Sequence, residues 1–246
     1  MRALGKRGLP CAIAVDGTTY RLERDVKHDF FAATGFYVSD DGRRVVGKFG
    51  RTQDYAGVPL KWLGRWLRDR ELRMYRTLRD ISNVPNVLTT VEPCGFVLEF
   101  VEGTPLRKDI RVPDRFFDAL RELIDQVHAR GIAYVDMNKK ANIIIDPRGR
   151  PHLVDFQISF DLRGLGDNVA TRWLLARLQR EDHYHVRKHH ARFRPDELTS
   201  EQLAEAERRS LLIRFHRLLR TPWIGLRRRT WKRLRATGRL LPEGSE

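Results

Sequence analysis

The sequence predicts an α+β fold, in which a small β-rich N-terminal part precedes a mainly helical part. In residues 19 to 50, apolar and polar residues alternate and turn-forming residues separate the runs, as in a small β-sheet. Apolar residues then recur at helical spacing in two stretches, 61 to 81 and 116 to 127. At 246 residues the chain can bury a sizeable core, as one large domain or as two lobes.

The composition is that of a soluble globular protein, with 41% hydrophobic and 32% charged residues. The apolar run 9 to 15 is too short to span a bilayer or to act as a secretion signal. Cys11 and Cys94 are widely separated and match no zinc or redox motif, which suggests a reducing compartment. We therefore expect a cytoplasmic protein.

The β-rich part carries a lysine that is expected to face inward. Residues 39 to 44 (SDDGRR) predict a hairpin turn, and Val46 and Lys48 share one face of the strand that follows. Because Val46 makes that face apolar, Lys48 needs a negative partner. Glu71 offers one, since it lies on the apolar stripe of the next helix, which comprises Leu63, Leu67, Met74 and Leu78. The sequence thus predicts a Lys48–Glu71 ion pair.

Residues 95 to 106 are expected to form a buried strand and then an extended segment that ends at Gly103, like a connector between two lobes. The helix at 116 to 127 is bounded by Pro113 near its start and by Gly131 just past its end. A long helix is therefore expected directly after the connector.

Two further helices are expected near the C-terminus, at residues 168 to 180 and 200 to 220. The second helix has Thr199 and Gln202 in the spacing of a capping box. The four histidines at 183, 185, 189 and 190 lie in a charged stretch, so we interpret them as solvated or anion-binding rather than as a metal site.

Between the helices predicted at 116 to 127 and 168 to 180, the sequence predicts a β-hairpin, with strands at 142 to 145 and 151 to 156. A hairpin that is symmetric about the Arg148–Gly149 junction places Asn142 opposite Asp155, with Cβ atoms about 5 Å apart. Two oxygen donors at this separation can share Mg²⁺, which often takes only one or two protein ligands. Asn and Asp are also frequent at strand ends as turn formers, so the pair alone does not establish a site.

Taken in order, five features resemble the signatures of the protein-kinase-like fold: Lys48, Glu71, Asp136, Asn142 and Asp155-Phe156. The resemblance covers roughly residues 20 to 165. It implies a two-lobed structure with an N-lobe at 1 to 100 and a C-lobe at 101 to 207. A basic helical extension at 208 to 246 would follow.

The resemblance implies that ATP and Mg²⁺ are the cofactors. Lys48 would hold the α- and β-phosphates, and Glu71 would orient this lysine. Glu99 and Val101, in the connector, would also contact the nucleotide.

The same resemblance assigns roles in catalysis. Asp136 would accept the proton of the substrate hydroxyl or orient it, while Asn142 and Asp155 would bind Mg²⁺. The interval from Asp136 to Asn142 is one residue longer than in the family motif. Either Lys139 or Lys140 would therefore contact the transferred phosphate.

The sequence departs from that of regulated protein kinases in four ways. Residues 26 to 38 contain a single glycine, Gly35, where the family has a glycine-rich loop. Val135 and Gln157 replace an arginine and a glycine of the family motifs, and residues 158 to 170 leave little room for a peptide-docking segment. These departures resemble the small bacterial lipopolysaccharide-core (Kdo or heptose) kinases and, more distantly, the RIO-type kinases.

The net charge of +15 is concentrated near the C-terminus, since residues 208 to 242 carry twelve Lys or Arg and no acid. Trp223 and Trp231 lie among these basic residues, a mixture that suits an anionic membrane surface. A helix packed on the C-lobe is one alternative. A nucleic-acid site is another, less favoured because no binding motif is present.

The sequence therefore predicts an ATP- and Mg²⁺-dependent kinase that acts on a hydroxyl group. The expected acceptor is an envelope lipopolysaccharide or glycolipid sugar, at the inner face of the cytoplasmic membrane. The alternatives are an atypical serine/threonine protein kinase and a pseudokinase scaffold that binds nucleotide and membrane or RNA. The joint presence of Lys48, Asp136, Asn142 and Asp155 argues against a scaffold.

Overall fold

The computed structural model describes residues 3–5, 8–54, 59–164 and 166–207. Residues up to Leu198 belong to one compact unit, and a second unit begins at Thr199. The first unit contains two parts, a β-rich one and a mainly helical one. No described helix combines the length and the apolar character needed to cross a membrane.

The β-rich part is built on a six-stranded antiparallel sheet with the strand order β1-β2-β3-β4-β6-β5. The strands are β1 (Ala12–Val15), β2 (Thr18–His28), β3 (Ala32–Ser39), β4 (Arg44–Gly50), β5 (Val87–Val91) and β6 (Gly95–Glu99). The turn predicted at 39 to 44 joins β3 to β4 and is confirmed. α1 (Lys61–Thr77) follows β4 and ends four residues before the predicted boundary at 81.

α1 can lie against the chain beyond β4 because it carries a glycine there. A Cβ atom at Gly64 would come within 2.0 Å of the Arg51 carbonyl oxygen, so only glycine fits this crossing. This approach brings the middle of α1, which holds Glu71, toward β4.

The helical part contains two long helices, two small sheets and the predicted hairpin. Its elements are β7 (Thr104–Pro105), α2 (Phe116–Ala129), β8 (Ile132–Ala133), β9 (Ile143–Ile145), β10 (Pro151–Leu153), β11 (Phe160–Asp161) and α3 (Val169–Phe193). The small sheets have the orders β10-β9-β7 and β11-β8. α2 lies where the sequence predicts it, between Pro113 and Gly131.

The main hydrophobic core extends through both parts of this unit. It includes Leu78 next to α1, Phe96 of β6, Leu120 of α2 and Ile143 of β9, all fully or almost fully buried. Burial at this level contributes roughly 1.5–3 kcal/mol for each large apolar side chain. The hairpin that carries the candidate metal ligands is therefore anchored by the same core as α1.

The predicted register of the hairpin is wrong by one residue. Ile143 pairs with Leu153, so Asn142 lies opposite Val154, whose amide donates to the Asn142 carbonyl oxygen at 3.1 Å. The cause is a five-residue loop in place of the expected four-residue turn. Asp146 holds the longer loop, since its Oδ1 accepts from two loop amides, those of residues 148 and 150, at 2.9 and 2.8 Å. The strands are also shorter than predicted.

α3 extends far beyond the predicted end at residue 180. It begins with a capping box, in which the Asn168 side chain accepts from the Thr171 amide. It then continues through the histidine-rich stretch, where two of the four histidines, His189 and His190, are buried.

In the second unit, α4 (Ser200–Glu207) is the described part of the helix predicted at 200 to 220. The predicted capping box is confirmed: the Thr199 amide donates to Gln202 Oε1 at 2.9 Å, and the Gln202 amide donates to Thr199 Oγ1 at 3.3 Å. The remainder of that predicted helix and the basic extension at 208 to 246 lie outside the described residues.

Candidate active site

Lys48 is the central cation of the candidate site. It lies in β4 opposite Thr34 of β3 and Phe96 of β6, and its side chain is buried. Its Nζ donates to Glu71 Oε1 and to Asp155 Oδ1, each at 2.6 Å. The predicted Lys48–Glu71 ion pair is confirmed. The lysine also joins the β-rich part to the loop after β10.

The charges in this cluster stabilise one another. Burial by itself would lower the pKa of Lys48, but Glu71 and Asp155 raise that pKa above its ordinary value. Burial likewise acts to raise the pKa of Asp155, and the nearby Lys48 ammonium overrides this effect and holds it well below the usual range. Burial raises the pKa of Glu71 against the opposing effect of Lys48. Lys48 and Asp155 are therefore both charged at neutral pH.

Asp155 is oriented by a group of aromatic side chains. Its backbone adopts φ +64°, in the left-handed region that Asp enters more readily than most residues. Its amide donates to Tyr75 Oη at 3.1 Å. The next residue, Phe156, is fully buried, with ring centroids 5.1 Å from Tyr75 and 5.0 Å from Tyr134. These contacts fix the backbone from which the Asp155 carboxylate reaches Lys48.

A second group of polar side chains faces the same carboxylate. Asn142 ends a short 3₁₀ helix (Lys140–Asn142), and its Nδ2 donates to Asp136 Oδ2 at 2.9 Å. Lys139 Nζ lies 3.4 Å from Asp136 Oδ2 and 3.3 Å from Asp155 Oδ2. Burial would lower the pKa of Lys139, yet the two carboxylates raise it. One ammonium group thus connects the candidate catalytic carboxylate, Asp136, with the candidate metal ligand, Asp155.

The structure distinguishes between the two lysines that the sequence left open. Lys139 contacts both carboxylates, whereas Lys140 Nζ lies 5.6 Å from the centroid of the Phe193 ring on α3. The geometry therefore favours Lys139 over Lys140 as the lysine that would meet a transferred phosphate.

Asp182 of α3 anchors the loop that carries Asp136, and sequence analysis missed it. It is almost completely buried and accepts hydrogen bonds of 2.8 Å from the amides of Tyr134 and Val135. Val135 adopts φ +69°, a conformation that strains a β-branched residue by about 1–3 kcal/mol. The two charge-assisted hydrogen bonds offset this strain and set the direction in which Asp136 projects.

A histidine of α3 holds the other side of the same loop. His189 Nε2 lies 3.0 Å from the Met137 carbonyl oxygen, and burial lowers the pKa of His189 to about 4. His190 is also buried and contacts Glu197 Oε2 at 3.0 Å. The prediction that the histidines are solvated or anion-binding is therefore wrong for these two residues, which pack against the helical core.

The sequence does contain a signal for Asp182. Leu175, Asp182, Val186 and His189 fall at helical spacing on one buried face of α3. An acid within an apolar stripe is the pattern that identified Glu71 on α1. Four histidines follow Asp182 within eight residues and make this stretch of sequence look exposed, which hides the pattern.

The turn between β2 and β3 differs from a glycine-rich phosphate loop. Its carboxylate, Asp29 Oδ1, accepts from the amides of Phe31 and Ala32 at 2.8 and 2.9 Å. In phosphate-binding loops such amides face the ligand. Gly35 lies within β3 rather than at this turn, and a Cβ atom there would come within 2.8 Å of two leucine side chains. Gly35 thus allows close packing of the leucine side chains. The amides of the turn are already hydrogen-bonded to the Asp29 carboxylate.

The remaining predicted nucleotide contacts lie in the connector. Glu99 Oε2 accepts from the Asn86 amide at 2.9 Å and from Asn86 Nδ2 at 3.1 Å. Glu99 and Val101 line a cavity of about 290 Å³ together with Asp146 and His152. Among the described residues, the structure brings together Lys48, Glu71, Asp136, Lys139, Asn142 and Asp155, and it places Glu99 and Val101 outside that cluster.

Solved structures of other proteins share this architecture. The crystal structure of the Rio2 kinase-ADP/Mg²⁺-phosphoaspartate complex from Chaetomium thermophilum aligns with a TM-score of 0.55 and 15% sequence identity, over 80% of this chain and 63% of that one. A second Rio2 kinase structure from the same organism aligns with a TM-score of 0.52 and 18% identity, over 74% and 57%. The chain has a protein-kinase-like fold. The predicted α+β, two-lobed architecture is confirmed.

The amino-acid sequence is also similar to that of a protein named as a kinase. The chloroplastic serine/threonine-protein kinase STN8 of Arabidopsis thaliana is 30% identical over 161 residues, which are 63% of this chain and 28% of the plant protein. This chain thus spans little more than a quarter of that relative. No protein-family model matches the chain. Both comparisons thus find proteins named as kinases.

In this kinase-like fold, the residues predicted to hold Mg²⁺ are chemically suited to it. Asn142 donates through Nδ2 to Asp136, which leaves its Oδ1 as an oxygen donor. Asp155 supplies a carboxylate that stays ionised at neutral pH because of Lys48. Amide and carboxylate oxygens are the ligands that Mg²⁺ prefers, with water and phosphate in the remaining positions. The site residues therefore fit the metal.

Proposed function

We propose that the chain is an ATP- and Mg²⁺-dependent kinase that transfers a phosphoryl group to a hydroxyl. The observation that carries this proposal is the double ion pair of Lys48 with Glu71 and Asp155. Burying a lysine ammonium together with two carboxyl groups is costly, and hydrophobic residues could fill the same space at less cost. Retaining them is consistent with a site for a charged ligand. The kinase-like fold and its similarity to an ADP/Mg²⁺ complex add support.

The proposed roles follow from the contacts. Lys48 would bind the α- and β-phosphates, held by Glu71 at 2.6 Å, and Asn142 and Asp155 would hold Mg²⁺. Bound Mg²⁺ would neutralise the charge on the phosphates. Lys139, whose ammonium lies between Asp136 and Asp155, would contact the transferred phosphate.

Asp136 is the proposed base or positioning residue. The acceptor oxygen would form a bond to the γ-phosphorus as the bond from this phosphorus to the ADP oxygen breaks. The hydroxyl proton would pass to the Asp136 carboxylate. Asn142 and Lys139 keep this carboxylate oriented, since both donate to its Oδ2.

The proposed acceptor is the hydroxyl of an envelope glycolipid at an anionic membrane surface. Support from the described residues comes from one face of α1, which exposes Trp62 (63%) and Trp66 (55%) beside the exposed Lys61 and Arg65. Exposed tryptophans flanked by cations are typical of interfacial helices. Each basic residue near an anionic leaflet contributes about 1 kcal/mol.

The experiment that tests the proposal follows labelled phosphate from γ-labelled ATP. Purified full-length protein with Mg²⁺ would be incubated with envelope glycolipid extract, with a serine- and threonine-rich protein, with RNA, or alone. The proposal predicts label on the glycolipid, and label on protein hydroxyls would indicate the atypical protein kinase instead. Stable MgATP binding without transfer in any mixture would favour the pseudokinase.

A further inference from the structure

A cluster of potential metal ligands lies between α2 and α3. Asp125 and His128 are three residues apart on α2 and so share one face of that helix. His183 approaches from α3, and one ligand atom from each of the three residues lies within 4.8 Å of the other two. The His128 and His183 rings meet edge to face, with centroids 4.9 Å apart.

The surroundings of His128 favour metal binding by one particular ring nitrogen. His128 Nε2 lies 3.0 Å from Asp182 Oδ2, so a hydrogen on Nε2 is donated to that carboxylate. The neutral tautomer then has a lone pair on Nδ1. A carboxylate that accepts from the second nitrogen is the usual partner of a metal-bound histidine, because it fixes the ring and raises its basicity. Asp182 is almost completely buried, which makes this arrangement rigid.

The side chains of the other two residues, Asp125 and His183, are exposed enough to turn toward a bound ion. Asp125 and His183 expose 58% and 30% of their side chains, and Asp125 Oδ1 lies 3.3 Å from His183 Nε2.

We propose that Asp125, His128 and His183 bind a divalent transition metal of the Zn²⁺ class. Two imidazoles and one carboxylate form a typical three-residue set for zinc, with water in the fourth position. Bonds of about 2.0–2.2 Å place neighbouring ligand atoms roughly 3.4 Å apart. Small rotations of the Asp125 and His183 side chains would bring the ligand atoms, now within 4.8 Å of one another, to this distance.

Binding at this position would be coupled to the catalytic loop. The Asp182 oxygen that contacts His128 also accepts from the Tyr134 amide, and its second oxygen accepts from Val135. A metal that fixes His128 would therefore steady the same carboxylate that supports the strained Val135 backbone. The ion would act as a clamp between α2 and α3 that stiffens the loop carrying Asp136.

The test uses metal-free full-length protein, with Zn²⁺ and Co²⁺ as probes and excess Mg²⁺ present throughout. Calorimetry would measure affinity, and the visible absorption of Co²⁺ would report the ligand set. Two variants remove ligands, His183→Gln and Asp125→Asn. Two matched controls, His185→Gln and Asp118→Asn, change the same residue types on the same helices. The melting temperature of each metal-free variant would be compared with that of wild type.

We expect His183→Gln and Asp125→Asn each to lower Zn²⁺ affinity at least tenfold and to change the Co²⁺ spectrum, with both controls like wild type. If His183→Gln does not fold, Asp125→Asn decides the matter, because its side chain is mostly exposed. Wild-type affinity and spectrum in Asp125→Asn, or an equal loss in the controls, would overturn the proposal. Slower hydrogen exchange at the Tyr134 and Val135 amides with Zn²⁺ is also expected, and unchanged exchange there would overturn the coupling.

Discussion

At the scale of single residues, Lys48 determines the electrostatics of the candidate site. Its Nζ contacts two carboxylates that belong to different elements, Glu71 of α1 and Asp155 after β10. A buried ion group of this kind is sensitive to the loss of one member, because the remaining charges are then buried without compensation. Stability measurements can therefore reveal this coupling independently of catalysis.

We predict that Lys48→Met lowers the free energy of unfolding by about 3 kcal/mol, since it leaves Glu71 and Asp155 uncompensated. Adding Glu71→Gln to this variant should restore part of the loss, because one of the uncompensated charges is removed. Urea unfolding of the two single variants and the double variant completes the cycle. Strictly additive effects would show that Lys48 and Glu71 do not interact.

A pH effect should arise from His189. Burial lowers its pKa to about 4, whereas an unfolded histidine titrates near 6.5. The neutral ring therefore contributes stability above pH 6.5, and this contribution is lost as pH falls toward 4. About 2 kcal/mol should disappear between pH 6.5 and 5. His189→Gln can keep the contact with the Met137 carbonyl but does not titrate, so its urea stability should fall less over this interval. Parallel pH curves for both proteins would exclude the effect.

Among the elements, α3 supports the loop that carries Asp136 through two buried side chains, those of Asp182 and His189. Asp182 accepts the Tyr134 and Val135 amides and contacts the His128 ring. None of these partners is a proposed nucleotide-binding residue. A substitution of Asp182 should therefore change the position of Asp136 more than it changes the affinity for nucleotide.

We predict that Asp182→Asn reduces the rate of phosphoryl transfer at least tenfold while the Kd for MgATP changes less than about threefold. The variant should also lose about 2 kcal/mol of stability, because buried hydrogen bonds to a charged acceptor contribute more than neutral ones. Single-turnover rates and calorimetry would separate the two effects. An equal loss in rate and in nucleotide affinity would assign Asp182 to general folding rather than to loop positioning.

A feature of the site can be predicted from the sequence when a pattern of neighbouring residues determines it. The Lys48–Glu71 pair could be predicted, because strand alternation and helical periodicity each place a charge on an apolar face. The hairpin was predicted but its register was not, since the loop held by Asp146 is one residue longer than the simplest turn. The apolar stripe of α3 marks Asp182 as a buried acid, but the Val135 amide that it binds lies 47 residues away, so no local pattern identifies this partner.

At the scale of the whole molecule, contacts that span a long stretch of sequence build the site. The Lys48–Asp155 ion pair joins residues 107 positions apart and links the N-terminal sheet to the C-lobe hairpin. The charge of the chain is also unevenly distributed, with most of the net +15 in residues 208 to 242. The proposed phosphoryl transfer and the proposed membrane attachment therefore depend on different residues, and separate mutations can test them.

We predict that full-length protein sediments with anionic vesicles and that the fraction bound falls steeply as salt rises. Truncation after Glu207, or substitution of both Trp62 and Trp66 by alanine, should each reduce sedimentation without changing MgATP affinity. Trp173→Ala is the control, because this tryptophan is equally exposed but lies on α3. Unchanged sedimentation in all variants would exclude attachment through these surfaces.

A comparison of wild type with Asp136→Asn tests whether Asp136 and the Lys48 cluster perform Mg²⁺-dependent phosphoryl transfer. Transfer of label from γ-labelled ATP would be measured with Mg²⁺, alongside MgATP affinity by calorimetry. We predict transfer by the wild type, a rate about 10²- to 10⁴-fold lower in Asp136→Asn, and nearly equal MgATP affinities. Equal transfer rates in the two proteins, or no transfer by wild type that binds MgATP, would exclude phosphoryl transfer by this site.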